Sequence, residues 1–545
     1  MASIRDHLQT LTDTVGAVRV LQRSGALDLT KPRELATAVK RSKTLGAPAT
    51  IMLHGAEEHP DAPALTDERG TLTFGELNDN AKALANELLA IGLTPGSVIG
   101  VLARDHRGLL TVLAASGFAG VRLAMMNTGF GKTQFAEVAE RERVQVMFYD
   151  EEFIDLLDGL PDSLPRYLTW VDGDRPIPEG VRTLDAVVDG GNTSMPPEPD
   201  DVGGLVILTS GTTGLPKGAQ RGRFSPFTSA LLLDRIPIPQ NGTAVIVSPI
   251  FHSTGFALWG VATALGNKTV VMRRFDAEKT LGAIADNRAD VLVAVPTMLH
   301  RMVALGPDVI KKYDLSSLKI IVIAGSALSP TLSEAVQDAF GDVLYNLYGS
   351  TEVAIVSVAT PSELRQAPGT VGRAPVSSHL ALYDDNDQRI TASNVRGRLF
   401  VKNGAPFEGY TDGRNKQVID GYMSTGDMAR FDDNGLMFIE GRDDDMIVSG
   451  GENVYPLEVE NLLAEHPDVA DVAVVGVEDD EFGTRLRAFI VRAEGADPQI
   501  DDLKLHVKSN LARYKVPRDV VFVEDLPRNA TGKLVRRNLP TGPLA

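Results

Sequence analysis

The chain has 545 residues, 43 % hydrophobic and 23 % charged, an ordinary globular usage that excludes disorder as the dominant state and leaves room for about three to four domain-sized units. Its 54 basic and 72 acidic side chains give a formal net charge of −18, which argues against a general nucleic-acid binder. Cysteine is absent, so disulfides, thiolate metal sites and a cysteine nucleophile are excluded, and any thioester chemistry must take its thiol from a second substrate.

In chain order, residues 1–50 stand apart. They hold eight basic and four acidic side chains, net +4, so the remainder carries −22. Met1 to Arg23 has scattered charges and no apolar core of the signal-peptide kind. Val15, Val18 and Leu21 hint at helical spacing, continued weakly by Leu35, Ala36 and Val39. Two readings stand: a basic amphipathic arm, residues 1–45, that touches an anionic membrane surface, or a helix packed on the body with its basic face in water. The first places the protein in the cytoplasm at the inner face of the membrane, and the second simply in the cytoplasm; the lack of cysteine fits a reducing compartment.

From Ile51 the pattern is α/β. Helical stretches over Phe74–Gly92, Leu109–Phe118 and Gln134–Arg143 alternate with apolar strands over Val98–Ala103 and Val144–Tyr149. Strands over Val202–Leu208, Ala244–Val247, Thr269–Met272, Val291–Val295 and Lys319–Ala324 follow, which predicts helices layered on largely parallel sheets. The apolar run Gly108 to Val121 is too short to span a membrane and reads as a buried helix. After about Asn386, closely spaced glycines predict a small β-rich subdomain. The charged break at Gly441–Asp445 precedes an α+β unit with helices over Pro456–Ala464 and Leu503–Leu511, strands over Val469–Val477 and Leu486–Val491, and a basic tail.

Four segments carry chemistry. The strongest is Leu208-Thr-Ser-Gly-Thr-Thr-Gly-Leu-Pro-Lys-Gly218, directly after an apolar strand. Gly211, Gly214 and Gly218 let backbone amides approach a ligand, Thr209, Ser210, Thr212 and Thr213 offer hydroxyls, and Lys217 a point charge: a phosphate cradle. It is not a Walker A loop, which ends in Gly-Lys-Ser/Thr. In Asn346-Leu-Tyr-Gly-Ser-Thr-Glu352, Tyr348 can stack on a base and Glu352 can serve Mg²⁺ as a hard oxygen ligand. Ser424-Thr-Gly-Asp427 with Arg442 offers a carboxylate and a guanidinium for ribose hydroxyls. Pro527-Arg-Asn-Ala-Thr-Gly-Lys533 brings a lysine on a turn. Each of the last three, alone, reads equally well as an ordinary turn or solvated tail.

Together and in this order, the four segments resemble the adenylate-forming superfamily of acyl-CoA synthetases, adenylation domains and luciferases, over about residues 50–545. Within it the chain looks most like bacterial fatty acyl-CoA ligases. The resemblance implies an α/β fold: a large N-terminal domain (51–443, after the extension 1–50) of two α/β sheets plus a small β-rich subdomain, with a small mobile α+β C-terminal domain (444–545). It implies two half-reactions, in which a carboxylate attacks the α-phosphorus of ATP, with Mg²⁺, and the acyl-AMP then passes its acyl group to CoA.

Carried over by position, Thr209, Ser210, Gly211, Thr212, Thr213, Gly214 and Lys217 would cradle the ATP phosphates. Tyr348 would pack on adenine near Gly325, Ser326 and Ala327, in a segment with Gly349, Ser350 and Thr351. Thr209 and Glu352 would position Mg²⁺, Asp427 and Arg442 would hold the ribose, and Lys533 would bridge carboxylate and α-phosphate. Asp444 matches the hinge, and Gly450, Gly451 and Glu452 the CoA channel. His252, Phe256 and Pro296 would line the acyl pocket; an amino-acid-activating relative usually has aspartate where His252 stands, so an uncharged tail is favoured. The stretch Gln220–Phe224 lacks a histidine common there in the family. A fatty acid heads the expected substrates, with aryl, sterol-side-chain or short-chain acids and transfer to a carrier protein as alternatives. Fatty acyl-AMP ligases that serve carrier proteins have an insertion that is not evident between Arg396 and Arg442, which favours CoA.

Overall fold

The computed structural model describes residues 4–209, 217–221, 228–405, 407, 409–411, 413–449, 452–479, 483–529 and 532–542. Among these, eight strands form one sheet, in the order Ala354–Ala359, Leu344–Ser350, Ile320–Ile323, Val291–Ala294, Thr243–Ile246, Lys268–Val271, Pro63–Asp67, Gly70–Thr73. Its six inner strands run parallel and its two edge strands antiparallel. A seven-stranded sheet has Val98–Leu102 and Arg122–Met125 at its centre. It ends in the antiparallel pair Leu205–Thr209 and Lys217–Arg221. Two inner strands of the first sheet, Val291–Ala294 and Ile320–Ile323, are buried along their whole length, as strands covered by helices on both faces must be.

The helix Arg107–Phe118 takes up most of the apolar run, and its Leu109, Leu110, Val112 and Leu113 are fully buried between the sheets. No helix among the described residues is long and apolar enough to cross a membrane. The third, antiparallel sheet begins at Ser378–Tyr383, slightly ahead of the expected Asn386, and includes Gly397–Asn403, Tyr422–Phe431 and Met437–Arg442. The C-terminal unit packs the helices Pro456–Ala464 and Ile500–Asn510 around strands Val469–Asp479, Gly483–Arg492 and Asp519–Val523.

The N-terminus departs most from expectation. Three helices, Ile4–Arg23, Pro32–Thr44 and Gly46–Glu58, precede the first strand, so helix continues past Ile51. In the first helix Ala17, Val20 and Leu21 join the main core, while Val15 is 43 % exposed. The face that packs is therefore one step round from the spacing of Val15, Val18 and Leu21. The helix is pinned by a hydrogen bond between His379 Nε2 and the Asp13 carboxyl at 2.9 Å and by Ser377 Oγ donating to the Asp13 carbonyl at 3.0 Å. The first helix is thus packed on the body, as the second of the two N-terminal readings has it, with Leu8, Leu11 and Val15 left exposed.

Candidate active site

The candidate site lies where the parallel strands of the eight-stranded sheet end, the place at which open α/β sheets gather ligands. Residues 344–352 run out of the strand Leu344–Ser350. The pairing of this strand with Ala354–Ala359 shifts register between Tyr348 and Gly349. A Cβ on Gly349 would lie 2.0 Å from the Ala354 carbonyl oxygen, so the close backbone approach at this bulge requires glycine. The bulge presents Tyr348 and Glu352 to the third sheet.

Asp427 and Arg442, fifteen positions apart in sequence, face each other as a cross-strand pair, with Arg442 NH1 3.7 Å from Asp427 Oδ1. Gly426 precedes the aspartate at φ 84°, a left-handed conformation suited to glycine. The Tyr348 hydroxyl donates to Asp427 Oδ2. Burial, the charge of Asp427 and the donation to it all hold the Tyr348 phenol well above its usual range. Burial also raises the Asp427 carboxyl, outweighing the opposing hydrogen bond from Tyr348 and the charges of Arg442, Lys533 and Lys416. The polar edge of Tyr348 is thus engaged by the Asp427 carboxyl group.

Glu352 accepts from Tyr410 Oη at 2.6 Å and from Ser350 Oγ at 2.8 Å. Burial pushes its pKa up, but these hydrogen bonds and the charge of Lys416 prevail, so the carboxyl is held below its ordinary value and is ionised at neutral pH. Among the described residues no cluster of three or more His, Cys, Asp or Glu side chains suits a metal ion. One ionised glutamate nevertheless fits Mg²⁺ that arrives on nucleotide phosphates, because this ion commonly keeps one or two protein carboxylates. Tyr410 and Lys416 are the site residues that sequence reasoning missed; both come from a loop with no recognisable motif, and only tertiary contact brings them to Glu352.

The phosphate loop is anchored at both ends. Thr209 and Lys217 pair in register across the antiparallel strands that flank it. Ser210, Gly211, Thr212, Thr213 and Gly214 lie outside the described residues. Ala219, two residues after Lys217, bridges Tyr410, and the Thr411 amide donates to the Gly218 carbonyl at 2.8 Å. The arm that carries the loop is therefore stitched to the tyrosine that holds Glu352. Gly325, Ser326 and Ala327 follow the strand Ile320–Ile323 on the same edge, with Gly325 at φ 95°.

Lys533 also reaches this site. Its amide is held by Asn529 Oδ1 at 2.9 Å, and Arg528 NH1 donates to the Gly532 carbonyl at 2.8 Å. The turn packs so closely on the helix Pro296–Val303 that a Cβ on Gly532 would meet Thr297 Oγ1 at 2.3 Å. The Lys533 charge is felt by Asp427. The turn of the C-terminal unit thus packs on the large one, with the Lys533 charge acting on Asp427. The segment Asp443–Asp445, the expected hinge, is a single 3-10 turn, and Asp445 lies 3.6 Å from Arg536. Gly450 and Gly451 lie outside the described residues. Glu452 is exposed, opposite Ser449 in the short hairpin that flanks them.

His252 caps the helix Ser253–Ala264 without a side-chain capping bond. Its ring lies 4.4 Å from that of Phe251. Nε2 is buried and has no hydrogen-bond partner among the described residues. Burial lowers the imidazole pKa to about 4, so the ring is neutral at physiological pH. Phe256 is buried one turn on, and Pro296 is buried at the start of the helix against which the Lys533 turn packs. Ser253 Oγ, next to His252, is 3.4 Å from Thr351 Oγ1, so this apolar wall adjoins the Tyr348–Glu352 segment.

Comparison with known proteins agrees with this geometry. The chain is 30 % identical over 485 residues, 87 % of its length and 94 % of the relative's, to an indoleacetate–CoA ligase of Aromatoleum aromaticum. It is 30 % identical over 501 residues, 89 % and 94 % of the two lengths, to a fatty acid–[acyl-carrier-protein] ligase of Streptomyces coeruleorubidus. Its fold matches that of o-succinylbenzoate CoA synthetase from Bacillus subtilis, solved with an acyl-adenylate intermediate, at a TM-score of 0.77 and 25 % identity, covering 91 % of this chain and 99 % of that one. Residues 458–533 match the AMP-binding enzyme C-terminal domain. With residues 53–411 matching the model of the AMP-binding enzymes, the chain belongs to that family.

Proposed function

We propose that this protein activates a fatty acid with ATP and passes the acyl group to CoA, releasing pyrophosphate and then AMP. The observation that carries the reading is the meeting of Tyr348, Glu352, Asp427 and Arg442 with the charge of Lys533 at one sheet edge. Two anions, a carboxylate and a triphosphate, must approach each other. Fixed cations aimed at that point offset the repulsion in the transition state, and positioning supplies much of the remainder. In this reading Asp427 and Arg442 hold the ribose, Tyr348 packs on adenine, and Thr209 to Lys217 cradle the phosphates. Mg²⁺, held by Glu352 and Thr209, supplies charge neutralisation on the phosphates. Residues 51–443 and 444–545 act as the two domains, with Asp444 as hinge and Gly450, Gly451 and Glu452 lining the route for CoA.

The neutral, half-buried His252 beside Phe251 and the buried Phe256 supports an uncharged acyl tail. The relatives named above act on an aryl acid with CoA and on a fatty acid with a carrier protein, so chain and acceptor must both be tested. Incubation with Mg-ATP, CoA and a mixed panel of fatty, aryl and sterol-side-chain acids, read by mass spectrometry, is expected to give fatty acyl-CoA and AMP. Aryl-CoA as the main product overturns the acid assignment. Acyl-AMP without acyl-CoA overturns the acceptor assignment and favours a carrier protein.

A second reading concerns the N-terminus. Leu8, Leu11 and Val15 are 60 %, 62 % and 43 % exposed, and they fall on one stripe of the first helix, which the exposed Arg19 continues. An apolar stripe on a basic segment suits an anionic membrane surface. Because Ala17, Val20 and Leu21 belong to the core, deletion of the helix would damage the body, and surface substitution is the cleaner probe. Changing Leu8, Leu11 and Val15 together to Gln is expected to weaken co-sedimentation with phosphatidylglycerol vesicles about tenfold. Unchanged sedimentation overturns the membrane reading.

A further inference from the structure

Two loops from different sheets meet behind the acyl wall. One, after the strand Val98–Leu102, carries Arg104, Asp105 and His106 into the helix Arg107–Phe118. The other, after the strand Thr243–Ile246, carries Pro249, Ile250, Phe251 and His252 into the helix Ser253–Ala264. Across the seam, the Ile250 amide donates to Asp105 Oδ1 at 3.0 Å. Asp105 is 5 % exposed and Ile250 is fully buried. A second clasp lies nearby, where Asp67 of the large sheet binds the Arg107 guanidinium at 2.6 Å and the Arg107 amide at 2.9 Å.

The polar groups around Asp105 are already committed elsewhere. Asp150 takes the Arg104 amide at 2.8 Å, the Thr169 hydroxyl at 2.6 Å and His106 Nε2 at 2.8 Å. His106 Nδ1 accepts from the Gly108 amide at 3.0 Å, which leaves Nε2 as the donor to Asp150. The Arg104 guanidinium pairs with Glu152 at 3.0 Å, and Glu68 takes the Arg273 amide at 2.8 Å. Asp105 is the member of this set that reaches across to the loop bearing Phe251 and His252. A buried backbone amide without an acceptor is costly, so the Asp105 carboxyl decides where Ile250, and with it the next two residues, can sit.

We propose that Asp105 is a positioning residue for acyl recognition, holding the Phe251–His252 wall in place through the Ile250 amide. The inference rests on the reading of His252 as a pocket residue. It also gives the wall a response to pH. Burial raises the Asp105 carboxyl to about 7, against the smaller opposing effects of the Ile250 hydrogen bond and Arg104, with Asp150 and Glu68 adding to the rise. His252 does not titrate in that range, being held near 4. Between about pH 4 and about pH 7 the folded protein holds a proton that the unfolded chain has lost, so this group's contribution to stability falls as pH rises through that window. Above about pH 7 the Asp105 carboxylate is charged in a buried seam, near the carboxyl groups of Asp150 and Glu68.

The test uses the full-length enzyme with the acid that the substrate panel identifies. Asp105→Asn keeps a carbonyl acceptor for Ile250 and cannot ionise; Asp105→Ala removes the acceptor. The alanine variant is expected to raise KM for the acid about tenfold while KM for ATP stays within about twofold, and asparagine is expected to restore KM for the acid. In the wild type, kcat/KM for the acid is expected to fall across pH 7 in a step that Asp105→Asn lacks. The proposal is overturned if alanine leaves KM for the acid unchanged, if KM for ATP rises equally, or if asparagine retains the step. Where the alanine variant does not fold, the pH profile of the asparagine variant decides alone. His252→Ala separates the two readings: altered acid selectivity there with a silent Asp105→Ala overturns the positioning role only. A silent His252→Ala with an acid-specific Asp105→Ala effect overturns the pocket role of His252 and leaves positioning through Phe251 standing.

Discussion

Lys533→Ala is expected to lower acyl-adenylate formation by about 10²- to 10³-fold, the usual cost of removing one preorganised charge from a developing transition state. Conversion of supplied acyl-AMP to acyl-CoA should stay within a few-fold of the wild type. The asymmetry follows from where the lysine sits. Its turn is wedged against Thr297, beside the buried Pro296, and its charge acts on Asp427. That is the place where carboxylate and α-phosphate would meet. Once acyl-AMP exists, the repulsion that Lys533 offsets has been overcome, so the second step should not need it. Pyrophosphate exchange measures the first step, and thioester formation from synthetic acyl-AMP measures the second. Equal loss in both would show that the substitution disturbs the arrangement rather than removing a charge. Lys533→Arg is the companion variant: it keeps the charge but spreads it over a planar fork, and partial recovery of exchange is expected.

Asp444→Pro is expected to slow thioester formation at least about tenfold while leaving pyrophosphate exchange close to normal. The turn Asp443–Asp445 is one short 3-10 segment between the third sheet and the C-terminal unit, and Arg442 immediately before it is extended at φ −95°, ψ 145°. Few residues are available to absorb the backbone change of a domain rotation, so a fixed φ in their midst should have a large effect. Because proline also disfavours the helical conformation that Asp443 has in this turn, a small loss of exchange, well below the loss of thioester formation, should accompany it. If the arrangement described here is the one that forms acyl-AMP, a stiffened hinge blocks departure from it and not its chemistry. Exchange and thioester formation lost together would place the damage in the Asp427–Arg442 pair next door. Unchanged thioester formation would remove the hinge role.

How much of this was legible beforehand depended on how local the cause was. The helix at 107–118 and the buried strands at 291–294 and 320–323 follow from runs of apolar residues whose length and period leave little choice. The motif expected to cradle phosphates is equally local in the sequence, where glycines, hydroxyls and a lysine follow a strand, and its flanks Thr209 and Lys217 pair in register. Asp427 and Arg442 stand between these cases. Each is unremarkable in its own segment, and their spacing acquires meaning when an antiparallel pairing sets them opposite each other.

The spacing of Val15, Val18 and Leu21 marked a helix without naming the face that packs, and contact with the body selects that face. Residues 17, 20 and 21 are in the core and residue 15 is not. Tyr410 and Lys416 carry no motif, and their bearing on Glu352 exists because the arm after Lys217 bridges Tyr410. Asp105 is the clearest instance. In the sequence it is one acid among 72 acidic side chains, and nothing near it marks it out.

Fold class, family and the identity of the four chemical segments are thus properties of the chain read in order, because hydrophobic period and turn chemistry act over a few residues. The ionisation of Glu352, the neutrality of His252, the engagement of Tyr348 by Asp427 and the clasp between Asp105 and Ile250 belong to the folded molecule. They arise from burial and from partners tens to hundreds of positions away. Desolvation and hydrogen bonding depend on what surrounds a group in space, and order along the chain does not specify that.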